Sequence, residues 1–173
     1  MHQLTLHPSC APGPIRRISA AIQPTPDGCR ARFLMEGDIG RIKVPSHAMS
    51  ERMDDLWLTT CFEIFWQPVG GSYYREFNLS PSSRWACYDF DDFRKNSRDA
   101  EVSAISIACS THDAKLELET SIASTLPTPA DVALNAVVED VDGNIQFWAL
   151  AFADGKPEFH SEVCRAMKLA GAL

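Results

Sequence analysis

Nine short runs rich in β-branched or aromatic residues, each bounded by Gly, Pro, Asp, Asn or Ser, set the tightest limit on how this chain can fold. They are Ile15 to Ile22, Cys29 to Glu36, Leu56 to Trp66, Tyr73 to Leu79, Trp85 to Phe90, Val102 to Cys109, Lys115 to Ile122, Val132 to Glu139 and Ile145 to Phe152. Ile105 and Ile107, then Leu116 and Leu118, alternate with polar residues, which is the period of a half-buried strand. Pro26-Asp27-Gly28 and Asp142-Gly143-Asn144 each join two runs as hairpin turns do. This punctuation predicts an all-β chain: an antiparallel β-sandwich or jelly roll of about nine strands with little helix. Its core would draw on Phe62, Ile64, Phe77, Leu79, Ile105, Ile107, Leu116, Leu118 and either Val137 or Val138. Helical signals are confined to a turn or two over His47 to Asp55 and a short helix over Ser161 to Leu169, in the tail 161–173.

At 173 residues, without a break in composition, the chain reads as one domain over 1–173. Its formal charge of -7 argues against a polyanionic partner, which sets aside nucleic acid and anionic membrane surfaces. The start, Met1-His-Gln-Leu-Thr-Leu-His-Pro8, lacks the basic and apolar regions of a secretory signal, and no run approaches a membrane span. The expected location is cytoplasmic. Cys10, Cys29, Cys61, Cys87, Cys109 and Cys164 are evenly spread, with no C-x-x-C pair and no zinc-site spacing, so they read as mostly free thiols, with no disulfide or zinc site expected and no metal ligand assigned.

Two carboxylates interrupt otherwise core-like strands. Along a strand, side chains alternate between faces, so Phe62, Ile64 and Trp66 share one face while Cys61, Glu63 and Phe65 share the other. In the next run Arg75, Phe77 and Leu79 oppose Tyr74, Glu76 and Asn78. A four-residue loop over 68–71 sets Glu63 opposite Glu76; a two-residue Gly70-Gly71 turn sets it opposite Asn78. Either even register gathers Glu63, Glu76, Asn78 and Tyr74 on one surface. Charged residues are rarely buried without partners, and like charges across a ladder are destabilising by up to about 1 kcal/mol. The pair therefore calls for a cation, a shared proton or a ligand; Arg94, Arg84 and a bound metal are the partners available. Trp57, Tyr74, Trp85 and Trp148 flank these strands, and flat aromatic faces beside carboxylates and amides suit a sugar, whose C–H faces stack while its hydroxyls find acceptors.

The segments Thr60-Cys-Phe-Glu63, Tyr74-Arg-Glu-Phe-Asn-Leu-Ser-Pro81, Trp85-Ala-Cys-Tyr88 and Phe93-Arg94 together resemble bacterial DOMON-like proteins related to family 9 carbohydrate-binding modules. Asn144-Ile-Gln-Phe-Trp-Ala-Leu-Ala151 and Gly155-Lys-Pro-Glu-Phe-His160 resemble the same family's closing strand and tail. The resemblance implies a β-sandwich with a ligand cleft on one sheet, used in relatives for sugars and in other DOMON branches for haem. By position, Glu63, Glu76 and Asn78 match the family's acidic and amide strand residues, and Trp85 follows the Ser-Pro turn as its Trp does.

The reading that follows is a non-catalytic domain that binds a saccharide or similar small polar ligand through Trp57, Glu63, Tyr74, Glu76, Asn78, Trp85, Arg94 and Trp148. The residues name no cofactor and no oligomeric state. A haem-binding domain engaged in redox chemistry is the alternative, with Met35, Met49, Met53, His47, His112 and His160 as candidate axial ligands. An enzyme is the third class: paired carboxylates can cleave a glycosidic bond, but the chain carries no G-x-S-x-G, H-E-x-x-H, Walker or dinucleotide motif.

Overall fold

The structure is a computed structural model that describes residues 1–171. Thirteen strands are present among them: β1 His2–Gln3, β2 Thr5–Leu6, β3 Ile15–Thr25, β4 Gly28–Gly37, β5 Cys61–Pro68, β6 Tyr74–Leu79, β7 Trp85–Phe90, β8 Arg98–Asp99, β9 Ala104–His112, β10 Lys115–Ala123, β11 Ala130–Glu139, β12 Ile145–Ala149 and β13 Met167–Leu169. The only helical elements among the described residues are three 3₁₀ turns, at Ile39–Arg41, Leu56–Leu58 and Glu162–Cys164. A strand forms within each of the nine expected runs, but the run expected from Leu56 enters the sheet only at Cys61, after a 3₁₀ turn at Leu56–Leu58, and the last run leaves it at Ala149. The four additional ones are two or three residues long, too short to carry a period, and they exist because longer strands offer them an edge.

Every strand pairing is antiparallel, in two sheets. The smaller has the order β1-β3-β4-β10-β9 and the larger the order β2-β12-β11-β5-β6-β7-β8, with β13 also on β11. The sheets face each other across a core in which Phe33 of β4 meets Phe62 of β5 at 4.9 Å between ring centroids. Ile64, Phe77, Leu79, Ile105, Leu116, Leu118 and Val138 are buried there; Ile107 is half-buried against it, and Val137 points to the opposite side of its sheet. A β-sandwich is therefore the architecture.

The turns follow from local chemistry. At the β11–β12 hairpin the Asp140 carboxylate accepts the backbone N–H groups of Asp142 and Asn144, at 2.9 and 2.8 Å. Gly143 supplies the left-handed conformation (φ 86°) that a Cβ would disfavour.

Two helical expectations fail. Residues 47–55 are irregular, held in part by a bridge from Arg52 to Trp85, and only Leu56–Leu58 just beyond them makes a 3₁₀ turn. In the tail, Ser161 caps a single 3₁₀ turn by accepting the Val163 N–H, and the chain then pairs with β11 as β13. The available edge at Ala130–Val132 outweighs a weak local helical preference. Residues 172–173 of that tail lie outside the described residues.

Candidate functional site

Strand register builds the site. Glu63 pairs with Asn78, and Phe65 with Glu76, so the two-residue turn register is the one adopted. The two glutamates stand diagonally with Asn78 beside them, which avoids a direct like-charge pair. On the next strand Asn135 pairs with Glu63 from the other side. A row of Asn135, Glu63 and Asn78 thus crosses β11, β5 and β6, on the face of the larger sheet turned away from the sandwich core. All three are buried, as is Glu76.

What buries them is chain outside the sheet. The segment before β5, the loop from β7 to β8 and the 155–160 segment close over this outer face. They wall an open-mouthed cavity of about 760 Å³. Glu63 and Glu76 reach it from the sheet; Phe90, Phe147 and Phe159 give it apolar walls; Trp57, half exposed, stands among the residues that line it. Two of its lining residues, Asp55 and Arg94, hold left-handed backbone conformations (φ 61° and 53°) without being glycine. Such conformations persist only where surrounding contacts over-determine them, and they cluster at binding sites.

One contact that holds Arg94 is visible. Its backbone N–H donates to Tyr74 Oη at 3.1 Å, and its guanidinium makes a two-point contact with Glu158, at 3.0 and 2.9 Å. Tyr74 Oη also lies 2.7 Å from His160 Nδ1. The tautomer in which the Tyr74 hydroxyl donates to Nδ1 carries the imidazole proton on Nε2. That Nε2 faces Glu76 Oε2 at 3.6 Å.

The electrostatics follow from burial without a tight cation. Desolvation, then the neighbouring Glu76 charge, raises Glu63 well above the usual carboxylate range, with Arg94 opposing. Glu76 is pushed up to about 7 by desolvation, against the Asn78 Nδ2 hydrogen bond to its Oε1 at 2.8 Å and the charge of Arg94. His160 is pushed down to about 4, by desolvation first and then by the charge of Arg94. Near neutral pH the His160–Glu76 contact is therefore a neutral imidazole beside a carboxyl that is easily protonated, not an ion pair. Among the described residues no hydrogen-bond donor is directed at Glu63, and the Asn78 Oδ1 and both Asn135 amide atoms are buried without a partner. Buried polar groups are ordinarily satisfied, so this row is short of partners from the chain itself.

Of the eight expected site residues, Trp57, Glu63, Glu76 and Arg94 line the cavity. Tyr74 and Asn78 lie behind it, positioning His160 with the Arg94 loop and Glu76 respectively. Trp85 and Trp148 do not belong to it. Trp85 pairs with Leu79 and Trp148 with Ala136, positions whose side chains face the sandwich core, and both Trp pack there. Arg84, offered as a partner for the glutamates, pairs instead with Glu51. Asn135, Tyr88, Phe90, Phe147, Phe159 and the carboxylates Asp54, Asp55 and Asp99 were not anticipated. Asn135 had a signal, as the one amide in the apolar run Val132-Ala-Leu-Asn-Ala-Val-Val138. Phe159 had none, since it arrives from a loop distant in sequence.

Among the described residues no group of three or more His, Cys, Asp or Glu is disposed to hold a metal ion. The donor set does not fit haem either. Of the candidate axial side chains only His160 lines the cavity, and its two ring nitrogens already face Tyr74 and Glu76.

No family model matches the chain, and no curated protein does. Among solved structures, a candidate carbohydrate-binding protein from Bacteroides uniformis is similar at a TM-score of 0.62 and 13% identity, over 86% of this chain and 75% of that one. At that identity the likeness is one of fold.

Proposed function

We propose that this chain is a non-catalytic binding domain for a saccharide or similar small polar ligand, taken up in the cavity on the outer face of the larger sheet. The observation that carries the reading is the pairing of two buried carboxyls, Glu63 and Glu76, with aromatic walls in one cavity of about 760 Å³, within the range of small-molecule sites. A carboxyl near neutrality both donates and accepts, which suits sugar hydroxyls, and Trp57 offers a face for the C–H surface of a ring. The fold likeness to a protein named for carbohydrate binding supports the same reading. The finer assignment, a DOMON-like domain of the kind related to family 9 carbohydrate-binding modules, rests on the Cys-Phe-Glu and Glu-Phe-Asn-x-Ser-Pro segments, whose Glu63 and Glu76 both reach the cavity.

A glycan array probed with purified protein tests it. Binding to a restricted set of mono- or oligosaccharides is expected, weakened about tenfold or more by Glu63→Gln, the scale of one lost charge-assisted hydrogen bond. No response across the array, or identical responses from wild type and Glu63→Gln, would refute the proposed site.

A further inference from the structure

Charge in and around this cavity is one-sided. Five carboxyls line it, Glu63 and Glu76 below and Asp54, Asp55 and Asp99 elsewhere in its lining, against Arg94 as the one lysine or arginine. Arg94 is engaged by Glu158 through Nε and one terminal nitrogen, which offsets much of its charge. Arg52 lies nearby but is shared between Asp54 and Asp99. The side-chain carboxyls of Asp55 and Glu63 receive no hydrogen bond from the described residues. Glu63 is the more telling, because its side chain is buried, reaches the cavity and has no partner. An anionic ligand would meet more carboxyls than cations in this lining. A neutral one would satisfy Glu63 but leave the three aspartates of the lining with only Arg52 between them.

The walls favour the same answer. Phe90, Phe147 and Phe159 with Tyr88 and Trp57 surround the acidic floor with aromatic rings, and ring faces attract cations most strongly where water is excluded. Tyr88 already shows this behaviour at the rim, with the Arg52 guanidinium carbon 5.0 Å from its ring centroid.

We infer that the ligand of this cavity is cationic, a saccharide bearing a protonated amine, with the ammonium seated against Glu63 and Glu76. This rests on the saccharide reading and narrows it to amino sugars. The ammonium donates to Glu63, ionises a carboxyl that the empty cavity holds near neutrality, and so releases a proton on binding. The charged and titratable groups facing it are Glu63 and Glu76 from the sheet, Tyr88 and Asp99 from the adjoining strands, Asp54 and Asp55 from the segment before β5, Arg94 from the β7–β8 loop, and Glu158 and His160 from the closing segment. The carboxyls outnumber the cations, so affinity rises as pH increases through the carboxyl range and falls only when the amine itself loses its proton.

The test is calorimetric titration of the purified protein, in two buffers of different ionisation enthalpy, with glucosamine oligomers, N-acetylglucosamine oligomers, neutral gluco-oligomers and putrescine. Glucosamine oligomers should bind about tenfold or more tighter than the acetylated ones, with proton release, and Glu63→Gln should erase both the preference and the release. Asp55→Asn, on the rim, should reduce the preference without loss of fold. Equal or tighter binding of the acetylated or neutral oligomers would overturn the cationic ligand and leave the saccharide reading standing. Putrescine binding with no response to any sugar would overturn the saccharide reading, and this inference with it.

Discussion

The two sheets of this sandwich carry glutamates in the same kind of strand, and treat them in opposite ways. On the smaller sheet Glu36 and Glu117 face outward, bond to Arg17 and Arg32, and sit below the usual carboxylate range because those guanidinium groups favour the charged form. On the larger sheet Glu63 and Glu76 also face away from the core, yet burial raises both. The difference lies in what covers the sheet. Strand β10 alternates buried and exposed residues, the mark of one solvated face, whereas seven consecutive residues of β5 are buried. A second covered face, with acids under the cover and no guanidinium bonded to them, distinguishes a site from a surface.

The sharpest way to break this comparison is through the tryptophans. Trp148 lies in the core between the sheets, 4% exposed, while Trp57 stands over the second face at 50%. Trp148→Ala should lose about 3–5 kcal/mol in urea denaturation. Trp57→Ala should stay within about 0.5 kcal/mol of wild type and lose ligand affinity instead. If Trp57→Ala is the more destabilising of the two, the covering segment is structural and the distinction between faces collapses.

Next in size is the pH dependence. A carboxyl whose folded pKa lies above its unfolded one takes up protons on folding, so its contribution falls as pH rises between the two values. For Glu76 that window runs from about 4.3, the ordinary glutamate value, to about 7. His160, depressed to about 4, works against it, because stability from a depressed histidine rises with pH up to its ordinary value of about 6.5. Comparing Glu76→Gln with wild type cancels the histidine to first order. The variant should match wild type near pH 4 and exceed it by on the order of 1–3 kcal/mol at pH 8. Glu117→Gln on the smaller sheet should show the opposite sign and a smaller effect, since its depressed carboxyl contributes above the ordinary value and is largely screened by solvent. The same sign for both variants would contradict the contrast between the sheets.

The smallest effect concerns the cover itself. Tyr74→Phe removes the hydroxyl between the Arg94 amide and His160. It should cost about 1 kcal/mol and speed hydrogen exchange at the Arg94 amide, leaving amides of the smaller sheet unchanged. Unchanged exchange at Arg94 would mean that the β7–β8 loop is held by its contact with Glu158 alone.

Much of this was readable beforehand, for identifiable reasons. Alternation and turn chemistry are local, so the nine longer strands and the Asp140–Asn144 hairpin could be read directly. Parity is nearly local too: any even loop between β5 and β6 puts Glu63, Glu76 and Asn78 on one face, whichever glycine turn closes it. Trp85 and Trp148 show where local reading stopped. Their aromatic character suited a ligand platform equally well, and only their pairing with Leu79 and Ala136 turned them into the core.

What the sequence determined by itself was a two-sheet antiparallel sandwich and the shared face of its strand acids, because side-chain period and turn conformation depend on neighbours a few residues away. The tertiary structure decided that this face is covered. Trp57 and Asp55, Arg94, and Phe159 with His160 come from three segments separated by tens of residues, and converge only once the sheet has formed. No local pattern encodes that convergence. Yet it is what buries Glu63 and Glu76, raises their pKa values, and turns one side of a sheet into a cavity.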